Sequence, residues 1–238
     1  MNNKISKYFS GSCGFILFCI LSCNVLGIVC AEANAVKPER IVYTIKPLGG
    51  RAEYTDYGLV NLEGKEVNKS TFHTRVLGFD DTETIYSLQQ NSLPLRVERD
   101  IKKLIGGEYI IEEYDQVNFS VTITKYKRSH KVSQLVFRAK EPIYNAVFLM
   151  FRAAQVSGLK LGWSRVFFVP NKFEVTLTSI DKIKIRDKIY TAYHFNSQPD
   201  KFEFWVDSNQ PHIPLKIKGK GDFKYTFNLK EYSPAVVK

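Results

Sequence analysis

The residue types best able to do chemistry gather late in the chain. The run KFEFWVDSNQPHIPLKIKGKG, from Lys201 to Gly221, places Trp205, Asp207, Asn209 and His212 within eight positions. An imidazole beside a carboxylate is the raw material of a general acid–base pair or a metal site. Acids also cluster in FDDTE (Phe79–Glu83) and EEYD (Glu112–Asp115), and a pair of carboxylates is what glycoside hydrolysis requires. The histidines are His73, His130, His194 and His212, and no two stand at the i, i+4 spacing that brings a pair of ligands to one helix face. There is no G-x-S-x-G elbow and no phosphate-binding P-loop; Gly49–Gly50 and Gly106–Gly107 read as turn glycines.

The elements that must carry these residues are strands. From Arg40 onward apolar and polar residues alternate with period two, as in IVYTIKPLG (Ile41–Gly49), STFHTRVLG (Ser70–Gly78) and FSVTITKYK (Phe119–Lys127). Short connections rich in Gly, Asp and Asn separate them and leave no room for crossover helices, so the sheet is expected to be antiparallel. A weak internal echo bears on the late polar cluster. IYSLQQNSLPLRVER (Ile85–Arg99) and FWVDSNQPHIPLKIKG (Phe204–Gly219) share one plan: an aromatic-bearing strand, a polar turn, then a proline opening the returning strand. The first copy has no Trp, Asp or His, so the second reads as turn chemistry. The acids fare no better as a site. Asp80 and Asp81 read as part of a turn, GFDD, and Glu112 and Glu113 as neighbours on opposite faces of a strand. The expectation is a protein that is not an enzyme, with no catalytic residue, no metal and no cofactor.

One segment breaks the alternation. EPIYNAVFLMFRAAQVSG (Glu141–Gly158) opens on Pro142 and closes on Gly158, and its apolar residues recur on every side. A helix without a polar face is buried. It is either a core helix on a curved sheet or a lid over an apolar cavity. The predicted fold is mainly β: a strongly bent antiparallel sheet, half-barrel or barrel-like, with one buried central helix at about 141–158.

The N-terminus reads as a signal peptide over residues 1–33. Lys4 and Lys7 precede the apolar run Cys13–Ala31, and Ala31-Glu-Ala33 and Ala33-Asn-Ala35 offer cleavage sites near Ala33 or Ala35. Cys23 is a near-miss for a lipoprotein site, with bulky Leu21 before it and an apolar run that continues past it. All four cysteines, Cys13, Cys19, Cys23 and Cys30, fall in this segment, so residues 34–238 form a single β-rich domain with no thiol to build a disulfide or zinc site. The expected location is the periplasm, with no membrane span in the mature chain and no nucleic-acid partner. The net charge of +10 is partly concentrated: between Gln116 and Lys140 there are six basic residues and no acid. Lys125, Lys127, Arg128 and Lys131 there are candidates for an anionic envelope component.

GFDDTETIYSLQQNSLPLRVERDI, IYNAVFLMFRAAQ and the late hairpin with Trp205, Asp207, Pro214 and Leu215 together resemble an uncharacterised family of exported bacterial envelope proteins, known as a domain of unknown function. The family is similar in layout to periplasmic lipoprotein-carrier half-barrels. The resemblance implies a periplasmic setting and lipid handling, and assigns no functional residue. With the helix, it suggests a non-enzymatic envelope protein that binds a lipid or other apolar ligand, with Tyr144, Val147, Phe148, Phe151, Trp163, Phe167 and Trp205 as candidate cavity residues. The alternative is a scaffold that binds a protein partner or anionic polymer through the basic surface.

Overall fold

The structure is a computed structural model that describes residues 37–154, 156, 158–221 and 224–236. The N-terminal segment, with its cysteines and cleavage sites, lies outside them. Alternation does drive the chain into strands: β1 (Glu39–Lys46), β2 (Arg51–Leu62), β3 (Lys65–Val76), β4 (Phe79–Ser87), β5 (Pro94–Lys103), β6 (Gly107–Asp115), β7 (Ser120–Lys127) and β8 (His130–Arg138) precede one helix, α1 (Ala146–Ala154). After it come β9 (Ser164–Val169), β10 (Asn171–Ile185), β11 (Lys188–Gln198), β12 (Phe202–Asp207), β13 (Pro214–Gly219) and β14 (Tyr225–Ser233). Pro94 and Pro214 each open a strand, where a missing N–H is tolerated.

All fourteen strands join one antiparallel sheet in the order β8-β7-β6-β5-β4-β3-β2-β1-β14-β13-β12-β11-β10-β9. Each strand pairs with its neighbour in sequence, except that the first and last strands pair with each other at the centre. The two edges, β8 and β9, flank the helix and do not pair, so the sheet is not closed. Antiparallel meandering also fixes the ends. The β1–β2, β3–β4, β5–β6, β7–β8, β9–β10, β11–β12 and β13–β14 tips share one end, here called the mouth. The remaining hairpins and α1 take the other end, the base.

The sheet must curl around α1, because strands far apart in the order touch the helical segment with the same face. The Phe151 ring packs on Tyr54 of β2, 4.9 Å between centroids, Tyr144 packs on Phe167 of β9, and Asn145 bonds Glu83 of β4. The bend is tight near the centre. Phe72 of β3 and Phe227 of β14 meet at 6.0 Å across two intervening strands, about 14 Å of sheet at the usual strand spacing, and the fully buried Ala52 sits inside that bend.

The helix is shorter than the sequence suggests. Residues 141–145 are not helical; Ile143 instead makes a parallel bridge to Phe168, and the Tyr144 N–H donates to the Phe168 carbonyl at 2.7 Å. The start is set by Asn145, whose Oδ1 accepts from the Val147 N–H at 2.8 Å, an N-cap. Pro142 therefore lies in the link and does not open the helix. Nor is the helix apolar-buried all round: Val147, Phe148, Leu149 and Ala153 are buried, Met150, Phe151 and Arg152 half-buried, and Ala146 exposed. Gln116 ties the link down, donating to the Pro94 and Ile143 carbonyls at 2.8 and 2.9 Å.

Phe148 is buried against this sheet. Phe148→Ala is expected to cost about 3–5 kcal/mol through the void it leaves, and Phe148→Asp more, because a carboxylate there must be buried or protonated. Thermal melts check this; a Phe148→Asp protein that melts like the parent would mean that α1 does not pack inside the sheet.

Candidate functional site

Strand register places the side chains of the concave face. On the β9–β14 side that face is aromatic towards the mouth. Phe173 and Phe202 lie 5.3 Å apart, and Tyr225 and Phe227 lie 4.9 Å apart. Gly219 stands opposite Tyr225, and the ring lies so close over it that any Cβ at that position would collide with it. These rings and Phe72 are not sealed in: all four phenylalanines are half-buried and Tyr225 is 39% exposed. The base below them is closed by α1, which leaves a cavity of about 190 Å³ lined by Tyr54, Phe148, Phe151, Arg152, Ile213 and others.

The opposite wall, on β4–β7, is polar. Register puts Asp81, Glu83, Arg99 and Glu112 on the same concave face as Ile85 and Val97. Arg99 ion-pairs with Asp81, and its Nε lies 3.7 Å from Glu83. Asn145 donates to Glu83 Oε1 at 2.6 Å, and the Tyr114 hydroxyl donates to Glu112 at 2.5 Å. Burial pushes the Glu83 carboxyl above the usual range; Arg99 and Asn145 oppose the shift, while Glu112 and Asp81 add to it. Burial also pushes up the Tyr114 phenol, with Glu112 adding to the shift. Asp81 Oδ1 and Arg99 Nε are buried without a hydrogen-bond partner among the described residues. This wall can offer carboxyl groups and a guanidinium to a polar group in the cup.

Glu112 and Glu113 lie on opposite faces of β6, as their spacing implies, whereas the turn expected over GFDD is too long. The turn is only Leu77–Gly78, and β4 already begins at Phe79, so Asp80 and Asp81 lie in a strand and not in a turn. The signal was present: counting by two from Phe79 gives Asp81, Glu83 and Ile85 on one face, and counting from Val97 gives Arg99 and Ile101 to meet them.

The seven cavity candidates separate. Tyr144, Val147, Phe148, Phe151 and Phe167 gather around α1 at the base, and Trp163 packs edge-on against Phe195. Trp205 stands apart on the convex face. It pairs in register with Lys216 and His194, stacks on His194 at 4.0 Å, lies under Lys216 Nζ and donates to Asp181 at 2.7 Å. The hairpin after it is turn chemistry: Asp207 Oδ1 accepts from the backbone and side chain of Asn209, both at 3.0 Å, and His212 Nδ1 meets the Asp207 carbonyl at 3.0 Å. Of the basic candidates, Lys125 and Lys127 converge with Lys103 on Glu108, Lys131 bonds Gln134, and Arg128 stands on the β7–β8 tip.

The fold is that of a beta-barrel-like protein. The chain is similar to a beta-barrel-like protein of a domain of unknown function, DUF1849, from Brucella abortus, with a TM-score of 0.52 and 12% identity over 84% of this chain and 98% of that one. No family model matches the chain, and no curated protein matches it. The likeness is one of architecture, and carries the expectation of a β-rich protein from the sequence to the fold.

The raised Glu83 carboxyl predicts a pH effect of definite sign. A carboxyl with a folded pKa above its unfolded value binds more protons in the folded state, so its contribution to stability falls as pH rises from about 4.5 through the raised pKa. Glu83→Gln removes that dependence. Relative to the parent, the variant should become progressively more stable across this window, as read by urea melts at a series of pH values. A constant difference across the series would mean that Glu83 titrates normally.

Proposed function

We propose that the protein is a non-enzymatic, exported envelope protein that binds a lipid or other apolar chain in the mouth of its half-barrel. The observation that carries this reading is the aromatic wall. Phe72, Phe173, Phe202, Tyr225 and Phe227 lie on a concave face and remain partly open to solvent, and apolar surface left open in a concavity is characteristic of ligand grooves. The opposing wall supplies the few polar groups that orient an amphiphile: Arg99, Asp81 and Glu83. The packed residues around α1 then act as the floor of the cup. The basic N-terminus and apolar run support export to the periplasm. The scaffold reading draws on Lys125, Lys127, Arg128 and Lys131, but Glu108 meets the charge of the first two.

Native mass spectrometry and uptake of a fluorescent fatty acid test the reading. The parent should bind the probe. Phe202→Asp and Phe227→Asp should each weaken binding about tenfold or more, because a buried charge opposes an apolar chain. Arg99→Gln should weaken an acid-headed probe more than its alcohol analogue. No uptake by the parent, and no co-purifying lipid, would rule out an apolar ligand.

A further inference from the structure

The mouth carries a second feature, independent of what the cup holds. Three adjacent hairpin tips end in large apolar side chains that touch almost nothing: Leu48 is 76% exposed, Leu77 99%, Leu104 87% and Ile105 91%. The tips form one continuous edge. Gly50 packs against the backbone of Arg75 and Val76, and the Leu104 N–H donates to the Gly78 carbonyl at 2.9 Å. The charge around them leans positive. Segments 46–51, 75–80, 102–108 and 127–131 hold eight lysines and arginines against two acids, Asp80 and Glu108, while Glu53 and Asp100 just beyond pair with Arg51 and Lys102. Farther along the same end, a cavity of about 570 Å³ is lined by Lys46, Lys218, Lys220 and Lys224, with Asp200 as its one acid.

We infer that this mouth is a membrane-docking rim, which inserts Leu48, Leu77, Leu104 and Ile105 into the surface of a bilayer containing anionic lipid. Isolated apolar side chains on protruding tips act as wedges between acyl chains, whereas a protein partner is usually met by a packed apolar patch with a polar border. The surrounding cations meet the phosphates of the headgroups, and the negative surface potential of such a bilayer attracts them at a distance. The geometry directs the open end of the cup at the lipid.

The test places tryptophan at the rim of the full chain, in Leu77→Trp and Ile105→Trp, and at the base in Val117→Trp, which is also exposed. Each is mixed with vesicles of phosphatidylglycerol and phosphatidylcholine carrying brominated acyl chains. Quenching above that of the parent, whose own Trp163 and Trp205 set the background, is expected for the rim variants and not for the base variant. It should shrink in high salt and vanish on phosphatidylcholine alone. Adding Leu48→Asp and Leu104→Asp to Ile105→Trp should abolish it without moving the melting temperature, since both side chains are exposed. Because the readout is depth at the rim, it is unaffected by anchoring through the N-terminal segment. Equal quenching at rim and base overturns the inference. So does no quenching at the rim, which would assign these leucines to a protein partner. Fatty-acid uptake without rim quenching would leave the cup reading standing and remove this one.

Discussion

The constraint on which the structure depends is that the edges of the sheet, β8 and β9, are never paired with each other. A fourteen-strand meander that joined its edges would be a closed barrel with its own side chains as filling. Here the first and last described strands pair in the middle, β1 on β14, and the residues between β8 and β9 form the link and α1. The helix is what the unclosed sheet folds around. Its apolar residues replace the missing half of the core at the base, and the link holds the gap with a few directed bonds: Ile143 and Tyr144 on Phe168, and Gln116 on both Ile143 and Pro94. One side-chain amide thus bonds the carbonyls of two separate segments and fixes the link to the start of β5.

From this follows the division of the concave face. The helix reaches only the base, so side chains towards the mouth must be satisfied by one another or by whatever enters. The two halves solve this differently. On the β9–β14 side rings pack at tilted angles along and across strands, with Gly219 yielding space to Tyr225. On the β4–β7 side the solution is electrostatic: Arg99 serves two carboxylates, and Asn145, the helix cap, reaches back to Glu83. The cap thus joins the polar wall to the packed base, since one residue both starts α1 and supports Glu83.

Much of this was legible in the sequence. Period-two alternation gives the strands, short Gly- and Asp-bearing connections give antiparallel pairing, and Pro94 and Pro214 mark strand starts. The faces were harder to read, for physical reasons. In β12 nearly every residue is buried, Phe204 on the concave side and Trp205 on the convex side, so alternation vanishes and nothing in FEFWVD says which ring faces inward. Bulges at Leu177/Ser179 and Trp205/Val206 shift the register between neighbouring strands. The acids in FDDTE were hidden differently. A charged concave face looks like a solvated face until the facing strand is known, and only the pairing of β4 with β5 reveals that Glu83 meets Arg99. The helix start was misplaced because Pro142 is a plausible first residue, while the actual cap, Asn145, is set by the bridge to β9 just before it.

The same topology explains why the unusual surface is at the mouth. The base holds the helix and its link, together with tight reversals of its own such as Glu63–Gly64 and Arg186–Asp187, whereas three adjacent reversals at the mouth carry large apolar residues. A two-residue reversal such as Leu77–Gly78 cannot fold its side chain back onto the sheet; whatever stands there projects. At the β7–β8 tip the positive φ angles of Arg128 and Ser129, 47° and 65°, make the hairpin turn that matches strand twist, and the projecting residue is a cation. At the three tips beside it the projecting residues are leucine and isoleucine. A single exposed apolar side chain calls for no explanation; four of them on three adjacent tips form a group. Apolar tips set among cations are consistent with an end that leaves water when it acts, and the cup opens at that same end.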